Sequence, residues 1–192
     1  MIARLFAKYQ SIGLITSSLL VGAIMTFIAL PFLTRLYSVQ NFGEYGIALA
    51  IVSVLSTVAN LRLDQAQLIA EQQHQKSLIF EGAVFATVIS LLSAGVLSWF
   101  FDGLMVWAIC GGTLANTLIQ SLYNYKFSVH VEYFCAGLNI FRSLIVVVVQ
   151  LSLPLWMNIS LVGSYAVSSL IMLLIVVLYI CLLYTSPSPR DS

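Results

Sequence analysis

Charge is what this sequence has least of. Lysine, arginine, aspartate and glutamate together make up 8% of its 192 residues, against 60% hydrophobic. A soluble domain of this length cannot hide so much apolar surface, because a folded chain this size still exposes much of itself to water. The few charges sum to +1 and form no basic stripe, which argues against a nucleic-acid partner. Histidine occurs twice, at His74 and His130, and cysteine three times, at Cys110, Cys135 and Cys181, with no metal-ligand spacing among them. No metal or cofactor is expected. Phosphate-binding glycine loops, HExxH and GxSxG are all missing as well. His130 and Glu132, two residues apart, do not share a helical face. The chain therefore does not read as an enzyme.

What the sequence does have is six apolar stretches of membrane-spanning length. They run at about 12–33, 45–63, 79–101, 104–125, 140–156 and 159–180, with a mean hydropathy of +1.01 for the whole chain. Each is near the roughly 20 residues that cross a 30 Å hydrocarbon core as a helix. The fifth contains Val146 to Val149, a run that favours a strand in water. In lipid an isolated strand leaves its backbone unpaired, so helix is expected there too. The fold class is an all-α integral membrane protein with six transmembrane helices.

Charge placement predicts the direction of insertion. With a cytoplasmic N-terminus, the inner side receives Arg4, Lys8, Arg62, Lys76, Lys126 and Arg142, and the outer side only Arg35. Trp99, Trp107 and Trp156 then fall at outer span ends, as interfacial anchors do. The first stretch is too long for a signal-peptide core and lacks a small-residue cleavage pattern, so it is read as a retained span.

The segment from Cys181 to Asp191, CLLYTSPSPRD, resembles the translation of a transposase-type sequencing adapter. On that reading 181–192 is a non-native tail, 1–180 is a six-helix transmembrane lobe, and the intact protein is longer. The alternative is an ordinary Ser/Pro-rich polar end.

Polar residues recur along two of the spans. Ser53, Ser56, Thr57, Asn60 and Asp64 share a face of the second, and Thr113, Asn116, Thr117, Gln120 and Asn124 a face of the fourth. Such rows serve either helix–helix packing or a hydrated cavity. Asn60, Asn116 and Gln120 are the candidates for a cavity wall. Asp64 and Glu81, at inner span ends, are either solvated loop charges or a cation- or proton-coupling pair. Arg62 and Arg142 either set topology or meet the phosphate of an anionic lipid headgroup.

The stretch PFLTRLYSVQNFGEYG, Pro31 to Gly46, resembles bacterial polysaccharide-export flippases, in which the first span ends in Arg-Leu-Tyr-Ser and the outer loop closes with Phe-Gly-x-Tyr. The matching positions are Arg35, Leu36, Tyr37, Ser38, Phe42, Gly43 and Tyr45. The Leu61-Arg62-Leu63-Asp64-Gln65-Ala66 ending of the second span is similar too. So, more weakly, is Phe141-Arg142-Ser143-Leu144 with Val149-Gln150-Leu151. The family's outer loop often has Pro-Glu where Val39 and Gln40 stand, and its inner loop before the fifth span is usually more basic.

This resemblance implies a Wzx-type O-antigen (lipid-linked oligosaccharide) flippase of the multidrug/oligosaccharidyl-lipid/polysaccharide exporter superfamily. It implies two six-helix lobes, about twelve helices, around a central cavity in the bacterial inner membrane. The expected partners are an undecaprenyl-diphosphate-linked sugar, membrane lipids and a C-terminal lobe. Under this reading Arg62 and Arg142 meet the diphosphate, Asn60, Asn116 and Gln120 border the cavity, and Asp64 and Glu81 serve coupling. The rival readings are a drug or lipid-precursor exporter of the same superfamily, an enzyme of lipid-sugar modification, and a structural membrane subunit.

Overall fold

The computed structural model describes residues 2–60, 72–128, 132–157 and 159–185, with side chains described over 13–60, 77–124, 133–157 and 159–182. Six helices make up almost all of this: α1 (Ile2–Leu36), α2 (Val39–Asn60), α3 (Gln72–Leu97), α4 (Gly103–Ser128), α5 (Glu132–Trp156) and α6 (Leu161–Thr185). Each contains an apolar span of 21 to 24 residues, enough to cross a bilayer, and there is no strand among the described residues. The protein is an all-α, multi-pass membrane protein.

Its surface is that of a protein dissolved in lipid. Large apolar side chains such as Phe27, Leu91, Leu174 and Leu178 face outward, while Thr113, Thr117, Ser164 and Ser168 are fully buried. Water would reverse that arrangement; hydrocarbon favours it, since polar groups do best against one another inside the bundle. The buried hydroxyls return to their own helix: Thr113 Oγ1 donates to the Ile109 carbonyl at 2.7 Å and Thr117 Oγ1 to that of Thr113 at 2.8 Å. The Val146–Val149 run lies inside α5, as the lipid argument requires.

Helix ends depart from the hydropathy reading where polar residues belong to the helix rather than to a loop. The α1–α2 connection is only Tyr37 and Ser38, and α2 starts at Val39 because Ser38 Oγ accepts the Asn41 N–H at 3.4 Å and so caps the first turn. Ser160 caps α6 in the same way, accepting the Gly163 N–H at 3.2 Å. At the third span the helix ends at Leu97, where the chain turns over 98–100. The largest difference is in α5, whose span runs from Tyr133 and not from Ile140. Tyr133, Gly137 and Asn139 lower the hydropathy of its first turns, yet Cys135 is fully buried there. At the other end of the chain, α6 continues through Ile180 to Thr185.

The helices run alternately up and down, so the connections 37–38, 98–102 and 157–160 share one face of the bundle. Trp99, Trp107 and Trp156 all sit at that face and all are largely exposed. Packing centres on α4, of whose span 61% is buried against 17–28% for the others. It lies against α2, α3 and α6, while α1 packs chiefly on α5 and α5 joins the rest through α6. The α1–α5 approach is close because Gly22 faces Ser143; a Cβ at Gly22 would stand 2.5 Å from Ser143 Oγ. Asn139 Nδ2 donates across the same seam to Ser18 Oγ at 3.4 Å.

Candidate functional site

The polar rows of α2 and α4 meet at one point. Asn116 Nδ2 donates to Ser56 Oγ at 3.2 Å, and Ser56 is buried. Both helices run the same way through the bundle, so Asn60 and Gln120 lie one turn further along the same seam. Asn60 is half-buried and Gln120 exposed there. Ser53 and Thr57 face outward and bond to their own helix, at the Ala50 carbonyl (2.7 Å) and the Ser53 carbonyl (2.8 Å) respectively. At Ser56 and Asn116 the row therefore packs helices together. Ser56→Ala is expected to lower the melting temperature of the purified protein. The double-mutant cycle with Asn116→Ala should give a coupling of about 0.6 kcal/mol, the usual size of such a bond in a membrane. A coupling indistinguishable from zero would show that the bond does not form.

A second polar cluster lies between α2, α5 and α6. Gln150, six residues before the end of α5, is only 2% exposed, and its Nε2 has no hydrogen-bond partner. The Tyr45 hydroxyl of α2 stands against this side chain but outside hydrogen-bond geometry, and it also lies in the field of Arg142. Tyr165 of α6 lies in that field too and meets Tyr45 edge-on, with ring centroids 5.5 Å apart and planes at 68°. Close by, the Tyr37 hydroxyl donates to the Gln150 carbonyl at 3.0 Å and shares a second hydrogen bond with Ser164 Oγ at 2.8 Å, while Ser164 also reaches the Ser160 carbonyl at 3.3 Å. Burial pushes the Tyr37 phenol above its usual pKa, and the Ser164 bond works the other way. The phenol stays protonated at neutral pH and ties the α1–α2 turn to α5 and α6.

Arg142 completes this cluster, at a depth the sequence analysis did not give it. A span beginning at Ile140 puts Arg142 at its inner edge; the observed span begins at Tyr133, so Arg142 lies nine residues within it. The helix brings Cys135 and Asn139 into the membrane and carries the arginine with them. One inner-loop cation is thereby lost from the topology count, which still leaves five against one. Among the described residues no carboxylate pairs with Arg142, and it stays half-buried. A guanidinium inside a span without a counter-ion is costly and marks a binding or conduction site in other membrane proteins. The two side chains that lie in its field, the Tyr45 and Tyr165 phenols, can each donate a hydrogen bond.

Of the remaining candidates, Arg62 and Asp64 lie outside the described residues, and the two histidine side chains do as well. Glu81 is exposed near the start of the α3 span and forms no ion pair among the described residues. It sits away from Arg142, on a helix that does not pack on α5. Sequence reasoning marked Arg142, Gln150 and Tyr45, the last only as a motif position, and missed Tyr165 and Ser164. The signal available was spacing: Arg142 and Gln150 are eight apart, two turns of one helix face. Nothing in the sequence brings Tyr45 and Tyr165, which come from other helices, to this point.

A cleft of about 630 Å³ opens between α3, α4 and α6, lined by residues including Leu91, Trp107, Gly111 and Leu170. Its polar atoms are already used: Ser90 Oγ donates to the Cys110 carbonyl at 3.3 Å and Cys110 Sγ to the Ser90 carbonyl at 3.4 Å. The rest of its lining is mainly apolar, with Thr87 and Ser98 each donating to a carbonyl of their own helix. Among the described residues no group of His, Cys, Asp and Glu is placed to hold a metal. Comparison of the chain with protein-family models, curated proteins and solved structures returns no match.

Proposed function

We propose that the chain is a six-helix lobe of an exporter that moves an undecaprenyl-diphosphate-linked oligosaccharide across the bacterial inner membrane, by alternating access and without covalent chemistry. The observation that carries this reading is Arg142, a guanidinium inside a span with the Tyr45 and Tyr165 phenols in its field and no paired carboxylate among the described residues. An anion fits that environment: a diphosphate offers a forked guanidinium two oxygens at once. The likeness of Pro31–Gly46 to polysaccharide-export flippases supports the same class of substrate. The excess of basic residues that the order of spans assigns to one side, and the tryptophans at the other, support a cytoplasmic N-terminus.

The test is complementation. The full reading frame that carries this chain is expressed in a bacterium lacking its own lipid-linked oligosaccharide flippase. Return of long-chain surface polysaccharide is the expected result. No return, with the protein present in the membrane at normal abundance, would overturn the reading. Resistance to toxic cations in place of polysaccharide would move the chain to the drug exporters of the same superfamily.

A further inference from the structure

The Gln150 amide is an anomaly that the anion site alone does not explain. It is 2% exposed, within a span, and Nε2 meets no acceptor. In water-free surroundings an unmade hydrogen bond of this kind is destabilising. An apolar side chain of the same size would remove that cost. Nearby, Tyr37 secures the Gln150 backbone carbonyl to Ser164 at 3.0 and 2.8 Å, so the backbone that carries the amide is held from two other elements. A fixed backbone with an idle donor is what a binding site awaiting an acceptor has.

We infer that Gln150 recognises a neutral oxygen of the ligand, a hydroxyl or acetamido carbonyl of the sugar next to the diphosphate, and so sets which lipid-linked sugars bind. This inference rests on the exporter reading above. Eight residues of helix separate Arg142 from Gln150, about 12 Å along α5, a spacing that places an anionic group and the adjoining sugar at different points of one track. Tyr45 links the two points, lying in the field of Arg142 and against the Gln150 side chain. Tyr45 is half-buried at the second turn of α2 and held edge-on to Tyr165, so a sugar oxygen that reaches the amide binds beside its phenol. A neutral amide adds little for a bare anion that already has a guanidinium. It discriminates by being left unpaired when the acceptor is missing.

The experiment compares two probes on the full chain in lipid nanodiscs: a short-chain polyprenyl diphosphate, and the same molecule carrying one N-acetylhexosamine. The readout is the ratio of their dissociation constants within each protein, which does not depend on the fraction folded. Gln150→Leu is expected to cut the preference for the sugar-bearing probe about tenfold, the worth of one buried hydrogen bond, while leaving the bare diphosphate unchanged. Gln150→Met, unbranched and closer in shape, should do the same and guards against misfolding of the leucine variant. An unchanged ratio in both variants would overturn the inference, as would an equal loss for both probes. Arg142→Ala separates the two readings: it should weaken both probes alike. If it weakens neither while Gln150→Leu shifts the ratio, the anion site is wrong and the sugar contact stands.

Discussion

Arg142→Ala is expected to reduce export roughly ten- to hundredfold, the loss of a charge-assisted contact of about 1.5–3 kcal/mol, without lowering the amount of protein in the membrane. The two halves of that expectation come from the same fact. A guanidinium nine residues into a span has no ion pair to lose among the described residues. Its presence at mid-span carries an insertion cost of about 2.5–3.5 kcal/mol, which alanine removes. Stability should therefore hold or rise while transport falls. Arg142→Lys keeps the charge but loses the fork, and should fall between the two. The measurement is surface polysaccharide in the complementation strain, normalised to membrane protein by immunoblot. Full export by the alanine variant would remove Arg142 from the mechanism. A fall in abundance matching the fall in export would make the arginine a structural residue.

Gly112→Leu is expected to leave no stably folded protein after detergent extraction. A Cβ at Gly112 would stand 2.6 Å from the Tyr165 hydroxyl and 3.0 and 3.1 Å from Cε1 and Cζ of the same ring. The ring cannot retreat, because it is 7% exposed and packed among Ala48, Val52, Ile109 and Tyr45. Even Gly112→Ala should cost about 1–3 kcal/mol, the usual range for forcing one carbon into a filled core, and leucine exceeds that range. Combining Gly112→Ala with Tyr165→Phe removes the shortest of the three contacts and should recover part of the lost melting temperature. The neighbouring Gly111 provides the control. A Cβ there would meet the Ser169 hydroxyl at 3.3 Å, and a hydroxyl can give by a few tenths of an ångström. Thermal melting followed by size-exclusion chromatography reads all four variants. Equal melting of Gly112→Leu and the parent would show that α4 does not approach α6 as described.

These two glycines show where sequence reasoning stopped. Read as a pair, Gly111 and Gly112 permit close helix approach, and that holds for both. Which of them is intolerant depends on whether a rigid ring or a small hydroxyl lies opposite, and those residues are over fifty positions away in the chain. The seam residues Ser56 and Asn116 have the same character. Their helical spacing showed that each has a polar face, but only the α2–α4 packing shows that the two faces meet.

The boundary of the fifth span was nevertheless within reach. A stretch of 17 residues from Ile140 to Trp156 is short for a 30 Å core, and extending it to the usual length draws in Asn139 and Cys135 and puts Arg142 inside the membrane. Hydropathy resisted the extension because it scores each residue alone. The fold accommodates those residues because α1 and α4 pack against the same turns, where Asn139 finds Ser18 and Cys135 Sγ finds the Tyr123 carbonyl at 3.5 Å.

By itself the sequence determined the solvent, the number of spans and their helical form, since a chain with this little charge must satisfy its backbone internally once it enters lipid. Tertiary structure alone decided that α1 pairs with α5 and α4 with α6, and that Tyr45, Tyr165 and Ser164 gather around Gln150 and Arg142. In lipid every outward face is equally apolar, so periodicity does not say which neighbour a helix will choose. That choice rests on matched shapes and a few short hydrogen bonds, and it exists only when the helices are side by side.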